Sequence, residues 1–455
     1  YEIALSLVGS EMCMRDRASP VTLDERCSLH MYIFTSTYIQ HMRQALARYQ
    51  KHSHETLFQI MERVRATVGD QYGSLLHTGS FVPAGRTLRT ACPDLGIQPN
   101  CAVIPWRDLS TQHALLYEST GVGVNFDSAP EGTVLRAMKA IANLPKADHT
   151  KRTPGLMGTL HYTHPDAKAF VDAKRNTTMF DTFNISLRVD KDFFTSPLFM
   201  RTAQAIHECG DPGLLFCERG REKATAPCGE LWLEPYEVCN LGNIVLSHVV
   251  GRHGVDQIKL HALTKEALHF LDDVIDRFNF PNKTVEKATL DRRRVGLGVM
   301  GFADACDRAR VRYGSPESIL LAHTIGHIMR KASDECTLEM ASSRGAAPLA
   351  NGRRNITCLA FAPTGGTALI KQASYSIEPH FEHVFETSFD NQLRIVDAFQ
   401  THVDGAISKT VNVPSDASPE YIAHVLKFAY YSTCMKGITV YRDGSKTHQP
   451  ISCDC

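Results

Sequence analysis

An α/β fold with a mostly parallel sheet is what this sequence of 455 residues predicts, and three observations carry the prediction. Short, apolar, β-branched runs recur along the chain, patterns of helical period lie between them, and no Pro/Ser-rich linker or internal repeat divides it. The length suits about three average domains or one large α/β barrel. The missing linker favours a single large domain.

The elements follow in chain order. Tyr1–Arg17 (YEIALSLVGSEMCMRDR) has mixed periodicity with neither capping nor turn logic. It reads as a non-native, adapter-like leader, the alternative being a genuine N-terminal strand and loop. From Thr35 to Val68 apolar residues stand three and four apart (Ile39, Met42, Leu46; Leu57, Ile60, Met61, Val64), which is a helical pattern. Phe81–Arg86 (FVPAGR), punctuated by Pro and Gly, reads as a loop. Cys101–Trp106 (CAVIPW) and Gly121–Phe126 (GVGVNF) read as strands or strand ends, and the alternation of Phe183–Val189 (FNISLRV) marks another strand.

Leu263–Phe278 is amphipathic, with Thr264 as expected N-cap and Leu268, Leu271, Ile275 and Phe278 on one face. Pro316–Ala332 is expected to be helical, with Pro and Glu in its first turn. Ile356–Ala362 (ITCLAFA) reads as a fully apolar strand running into the turn Pro363-Thr364-Gly365-Gly366-Thr367. Gly437–Tyr441 (GITVY) closes the series as a short strand.

Composition excludes several classes of function. Lys+Arg and Asp+Glu are equal at 49 each, so bulk charge gives no reason to expect nucleic acid or an anionic membrane as partner. No run of apolar residues is long enough to span a bilayer. The 14 scattered cysteines in so long a chain fit cytosolic thiols better than a disulfide scaffold.

Four motifs carry possible chemistry. In Pro227-Cys228-Gly229-Glu230 the flanking Pro and Gly make a tight turn that presents the thiol, with a carboxylate two residues on. That is a nucleophile–base or hydrogen-atom-abstractor–base pair, although a buried structural cysteine beside a surface Glu satisfies the same four residues. Cys239 in Glu237–Ile244 and Cys101 after Asn100 each open an apolar strand, and spacing alone does not say whether the fold unites them with Cys228. The strand, Gly-rich turn and small-residue stretch around 363–367 could aim backbone amides at a phosphate, or be an ordinary turn; no Walker Lys-Ser/Thr pair is present.

Gly121-x-Gly123 lacks the third glycine of a dinucleotide fingerprint. Neither Cys-x-x-Cys nor His-Glu-x-x-His occurs, so no metal site is expected. Cys453-Asp454-Cys455 with His448 suits thiol–disulfide exchange better than zinc. Most of the 21 histidines, His161 and His164 among them, read as surface or structural residues.

Taken in order, a dozen segments resemble the catalytic subunit of ribonucleotide reductases, most of all the adenosylcobalamin-dependent (class II) branch. They are FVPAGR at 81–86, NC at 100–101, GVGVNF at 121–126, HPDAKAFVDAK at 164–174, FNISL at 183–187 and GDPGLLF at 210–216. PCGE at 227–230, EVCNLGNI at 237–244, GLGVMGFAD at 296–304, PTGGT at 363–367, SIEPHF at 376–381 and KGITVYRDGSK at 436–446 complete the set.

The resemblance, over roughly 75–450, implies a ten-stranded α/β barrel with a central finger loop. It implies a helical N-terminal region at 18–80, the barrel at 81–446 and a cysteine-bearing tail at 447–455. By the same carry-over Cys228 is the thiyl that abstracts the ribose 3′-hydrogen, and Glu230 is the base for the 3′-hydroxyl. Cys101 and Cys239 are the pair that closes a disulfide as the 2′-hydroxyl leaves as water. Asn100, Gly123, Asn184 and Pro363 with Thr364, Gly365, Gly366 and Thr367 would bind substrate, the last four at its phosphates. Cys453 and Cys455 would re-reduce the pair. The implied partners are a ribonucleoside di- or triphosphate, adenosylcobalamin and an external dithiol such as thioredoxin, for a cytoplasmic monomer or homodimer without nucleic acid or membrane.

Three departures bear on this. Ala226 stands where the family usually has Asn, removing a hydrogen bond near the ribose worth about 1–3 kcal/mol. The stretch from Phe126 to Arg152, which usually holds dimer helices and specificity loops, is short, and no N-terminal ATP cone is expected. The tyrosyl-radical branch (class I) needs two adjacent tyrosines where this chain has Val440-Tyr441, so cobalamin is the expected radical source; Tyr430-Tyr431 reads as helix packing. The competing readings are a catalytically impaired homologue with a regulatory or binding role, and a class I type subunit taking its radical from a partner. A glycyl-radical enzyme is disfavoured because Tyr441–Gly444 does not read as the required C-terminal loop.

Overall fold

The computed structural model describes residues 40–51, 54–145, 154–175, 177–220, 222–380 and 387–445. The expected leader at 1–17 and the tail bearing Cys453 and Cys455 lie outside them. Residues 1–44 form a unit of their own, of which only 40–44, helical, are described. The second unit begins at Ala45 and contains every element named below.

A sheet of ten strands organises it. The strands are β1 (Phe81–Pro83), β2 (Cys101–Val103), β3 (Gly121–Asn125), β4 (Leu156–His161), β5 (Phe183–Val189), β6 (Gly213–Phe216), β7 (Val238–Val245), β8 (Val295–Met300), β9 (Thr410–Val413) and β10 (Gly437–Arg442). β2 to β6 pair in parallel order, as do β7 with β8 and β9 with β10. The two parallel runs meet antiparallel at β2–β7 and at β6–β10.

Closure comes through a segment that is extended but carries only single bridges. Leu359 pairs with Leu297 of β8, and Phe361 pairs with Ile407, just ahead of β9, both in parallel. The circuit β2-β3-β4-β5-β6-β10-β9-(359–361)-β8-β7 is therefore a closed α/β barrel, with β1 laid antiparallel on β7 outside it. Parallel strands need long crossovers, and helices supply them. No helix among the described residues is long and apolar enough to cross a membrane.

Several elements differ from the sequence expectation. The FVPAGR stretch is not a loop: Phe81 and Val82 are fully buried as β1 against β7, and a helix spans Gly85–Thr90. The helical pattern of 35–68 is interrupted, and a helix starts afresh at Leu57 behind a capping box of Thr56 and Gln59. The helix expected from Leu263 spans Gln257–Ile275, because Asp256 accepts from the Lys259 amide and caps it; Thr264 lies mid-helix and bonds back to Leu260 O. The helix expected to end at Ala332 spans Pro316–Arg344 and stops at Gly345, whose φ of +87° ends the ladder.

Candidate active site

Inside the barrel stands a small hairpin, Ala224–Thr225 paired antiparallel with Trp232–Leu233, whose tip is Ala226–Leu231. Pro227 cannot donate in a ladder, and Gly229 takes φ +81°, so the chain reverses there. The Gly229 amide donates to Ala226 O at 2.9 Å, and the Ala226 amide to Leu231 O at 2.8 Å, closing the tip.

Glycines on the wall make room for it. A Cβ at Gly123 would fall 1.9 Å from Thr225 O, one at Gly121 2.9 Å from Pro227 Cγ, and one at Gly155 3.2 Å from Pro227 Cβ. From the opposite wall the Ala406 amide donates to Glu230 O at 2.7 Å. The hairpin thus spans the lumen between β3–β4 and the segment leading to β9. Asn184 on β5 ties it further, donating from Nδ2 to Pro227 O at 2.9 Å.

The antiparallel seam decides what the hairpin meets. Cys101 of β2 and Cys239 of β7 are directly opposed in register. Such pairs have Cα atoms about 4.5–5.5 Å apart, inside the span a disulfide bridges. The sulfurs of Cys101 and Cys239 and a carboxylate oxygen of Glu230 all lie within 4.8 Å of one another. All three residues are buried, Glu230 and Cys239 at 0% exposure, whereas Cys228 at the tip is half-buried. The cluster is a pair of thiols beside a carboxylate in a site closed to bulk water, with a more accessible thiol two residues from that carboxylate.

Neighbouring groups hold this seam. Asn100 accepts from the Leu241 amide at 3.3 Å and so links β2 to β7. Glu237, two residues before Cys239, is fully buried against Arg294 and Arg292 at 3.3 and 3.5 Å. Burial pushes its carboxyl up more strongly than those two arginines pull it down.

The turn 363–367 follows directly on the wall segment 359–361. Thr364 caps the short helix Gly365–Lys371 by position, but its hydroxyl accepts from the Ser376 amide at 2.7 Å. The Thr367 hydroxyl donates to Thr364 O at 2.7 Å. Both hydroxyls are thus committed to the fold. No hydrogen bond among the described residues engages the amides of Gly365 and Thr367.

Two supporting residues escape a reading of the sequence. Asp404 accepts from the amides of Cys358 and Leu359 at 2.9 and 2.7 Å, pinning the segment that closes the barrel. Gly405 lets that turn approach: a Cβ there would lie 2.6 Å from Ala360 Cβ and 3.2 Å from Glu230 O. The Asp-Gly pair signals a turn in sequence, but nothing local says which strand the turn will brace.

Comparison with known proteins agrees with this architecture. The family described as "Ribonucleotide reductase, barrel domain" matches residues 195–351 and 380–441. Vitamin B12-dependent ribonucleoside-diphosphate reductases of Thermoplasma acidophilum and Mycobacterium tuberculosis are each 28% identical over 84% of this chain. The alignments take in 66% of the first protein and 73% of the second, so the chain spans just under two thirds of the Thermoplasma protein. The solved structure of the Actinobacillus ureae class Id ribonucleotide reductase alpha subunit superposes with a TM-score of 0.76 at 17% identity, covering 89% of this chain and 96% of that one.

Proposed function

We propose that this ribonucleotide reductase barrel protein reduces ribonucleotides to 2′-deoxyribonucleotides, with a thiyl radical on Cys228 and a redox pair made of Cys101 and Cys239. The observation that carries the reading is the convergence of two wall thiols on a buried carboxylate of the hairpin tip, which also bears a third thiol.

Cys228 takes the 3′-hydrogen atom from the ribose, becoming a thiol and leaving a carbon radical. Glu230 accepts the 3′-hydroxyl proton, a task that suits a carboxylate held away from water. The 2′-hydroxyl departs as water, taking a proton from one thiol of the pair. Cys101 and Cys239 together give up two hydrogen atoms and become a disulfide, so the substrate gains the two electrons that the pair loses. Cys228 finally returns its hydrogen to C3′ and is again a thiyl. The amides of residues 364–367 would hold the phosphates. Cys453 and Cys455, with an external dithiol of the thioredoxin type, would reopen the disulfide.

For the radical source, the relatives named above as B12-dependent and the Val440-Tyr441 pair on β10 support adenosylcobalamin. Cys228 is the accessible thiol of the set, the other two being buried, which suits a bulky radical donor approaching from outside the hairpin. Tyr430 packs against Phe194 and Phe216, and Tyr431 against Tyr430, so the adjacent tyrosines serve helix packing. Adenosylcobalamin, when bound, would supply the radical chemistry that removes the hydrogen atom from the Cys228 thiol.

An anaerobic assay tests both levels. Deoxynucleotide should form with a dithiol and adenosylcobalamin and should be absent when the cobalamin is left out. Turnover independent of cobalamin would overturn the radical source, and no turnover under any condition would favour an impaired homologue. Replacing Glu230 by Gln, nearly isosteric, should lower kcat by about 10²–10⁴ with an unchanged circular dichroism spectrum. Unchanged turnover in that variant would remove Glu230 from the proton transfer.

A further inference from the structure

Away from the lumen, three histidines meet at one place on the surface. His323 and His327 are exposed and stand one turn apart on the helix Pro316–Arg344, hence on the same face. Opposite them lies half-buried His402, in the turn after the helix Phe389–Gln400. Nδ1 of His323 is 3.4 Å from Nε2 of His402. The His402 ring centroid is 5.6 Å from that of His323 and 5.8 Å from that of His327.

The helix makes a place for the third ring. Gly326, between the two helical histidines, lies so close that a Cβ there would come within 2.8 Å of His402 Cδ2. Glycine inside a helix is disfavoured against alanine, so this position accepts a local penalty that admits His402.

The spacing is also informative. A nitrogen–nitrogen distance of 3.4 Å is long for a hydrogen bond. It matches the edge, about 3.3–3.4 Å, of a tetrahedron of imidazole nitrogens around an ion bound at about 2.0–2.1 Å.

We propose that His323, His327 and His402 bind a divalent transition-metal ion of the zinc type. His323 and His402 stand at ligand spacing, His327 joins them by rotating its exposed side chain, and water completes the tetrahedron. Neutral imidazole is a ligand for such ions and not for calcium or magnesium. Arg330 is the cation beside the site, and its charge is offset by Asp334 at 2.7 Å and Asp404 at 3.6 Å.

An ion here would clamp the long helix to the 402–406 turn. The same turn supplies Asp404 to the barrel-closing segment and the Ala406 amide to Glu230 O. The ion's expected effect is therefore to stiffen one support of the hairpin.

The test uses the full chain, freed of metal with a chelator, its thiols alkylated so that cysteine sites do not compete. Co²⁺ titration should show one equivalent bound, with the visible absorption of a tetrahedral nitrogen/oxygen site and displacement by Zn²⁺. The double variant His323→Gln/His327→Gln, altered only at exposed positions, should keep its circular dichroism and bind at least about 100-fold more weakly, since losing even a supporting partner of a metal ligand costs about 10–100-fold. Zn²⁺ should raise the melting temperature of the parent and not of the variant. Equal stoichiometry and affinity in both proteins, or no binding by the parent at millimolar Co²⁺, would overturn the site. Neither readout depends on turnover, so the result stands apart from the reductase reading.

Discussion

Cys228→Ser should reduce deoxynucleotide formation to background while the barrel stays folded. The reason is chemical, because a hydroxyl does not host the radical that a thiol hosts, and Ser differs from Cys by one atom. The local structure tolerates the change: Cys228 is half-buried at a hairpin tip whose closure depends on the Gly229 and Ala226 amides. Stability should therefore shift by less than about 1 kcal/mol, as for substitutions away from a packed core. Anaerobic product assay and thermal denaturation, run on the same preparation, check the two halves of the statement. Normal product formation by the serine protein would end the radical mechanism, whichever group initiates it.

The largest expected effect on stability lies outside the lumen, at Asp272. This carboxylate is fully buried and gathers Arg293 at 2.7 Å, Arg354 at 3.0 Å, Arg344 at 3.4 Å and Asn355 at 2.9 Å. It joins the helix Gln257–Ile275, the entry to β8, the end of the helix Pro316–Arg344 and the start of the barrel-closing segment.

Asp272→Ala strips the shared partner from several cations at once. Arg293 keeps the backbone carbonyl of residue 272, at 2.8 Å, but its remaining carboxylate partner is Asp276, which is half-exposed at 51%. Removing one member of a buried ion-pair network is worth about 3–5 kcal/mol, a large share of the roughly 5–15 kcal/mol that holds a domain together. A loss below about 1 kcal/mol in denaturant unfolding would contradict this.

The effect should depend on pH in a defined direction. Burial alone would raise the Asp272 pKa, but the Arg293 hydrogen bond and the charges of Arg293 and Arg354 outweigh it, and the folded-state value is lowered. A depressed carboxyl pKa gives stability that is present above the unfolded value, about 3.9, and is lost as pH falls through the folded one. The gap between parent and Asp272→Ala should hold from neutral pH down to about pH 4 and narrow below it.

Legibility in the sequence differs element by element. FNISLRV alternates, and β5 occupies Phe183–Val189 as expected. The apolar runs at 101, 121 and 437 also lie in strands, since each is β-branched and bounded by turn residues. β8, VGLGVM, reads as a motif and not as a strand, because its glycines erase the apolar period. Gly296 and Gly298 are there because a Cβ would come within 2.7 Å of Leu241 Cδ2 and 2.8 Å of Asn243 Oδ1 on β7. FVP reads as a loop on account of its proline, yet Pro83 closes a short strand outside the barrel circuit, where the lost donor matters least. Helix starts differ from expectation because Asp256 and Thr56 supply caps that apolar periodicity does not register.

By itself, then, the sequence determined the alternating α/β character, the thiols and carboxylate available, and the tight turn that Pro227 and Gly229 impose around Cys228. Those follow from local rules of period, backbone freedom and side-chain chemistry. Only the tertiary structure decided that Cys101 faces Cys239, that Glu230 lies buried beside both, that the Ala406 amide braces the hairpin from the far wall, and that Asp404 pins the segment closing the barrel. Each of those relations joins strands remote in sequence. Their spacing is set by an antiparallel seam between two parallel runs and by closure of the barrel, a global condition that no window of neighbouring residues contains.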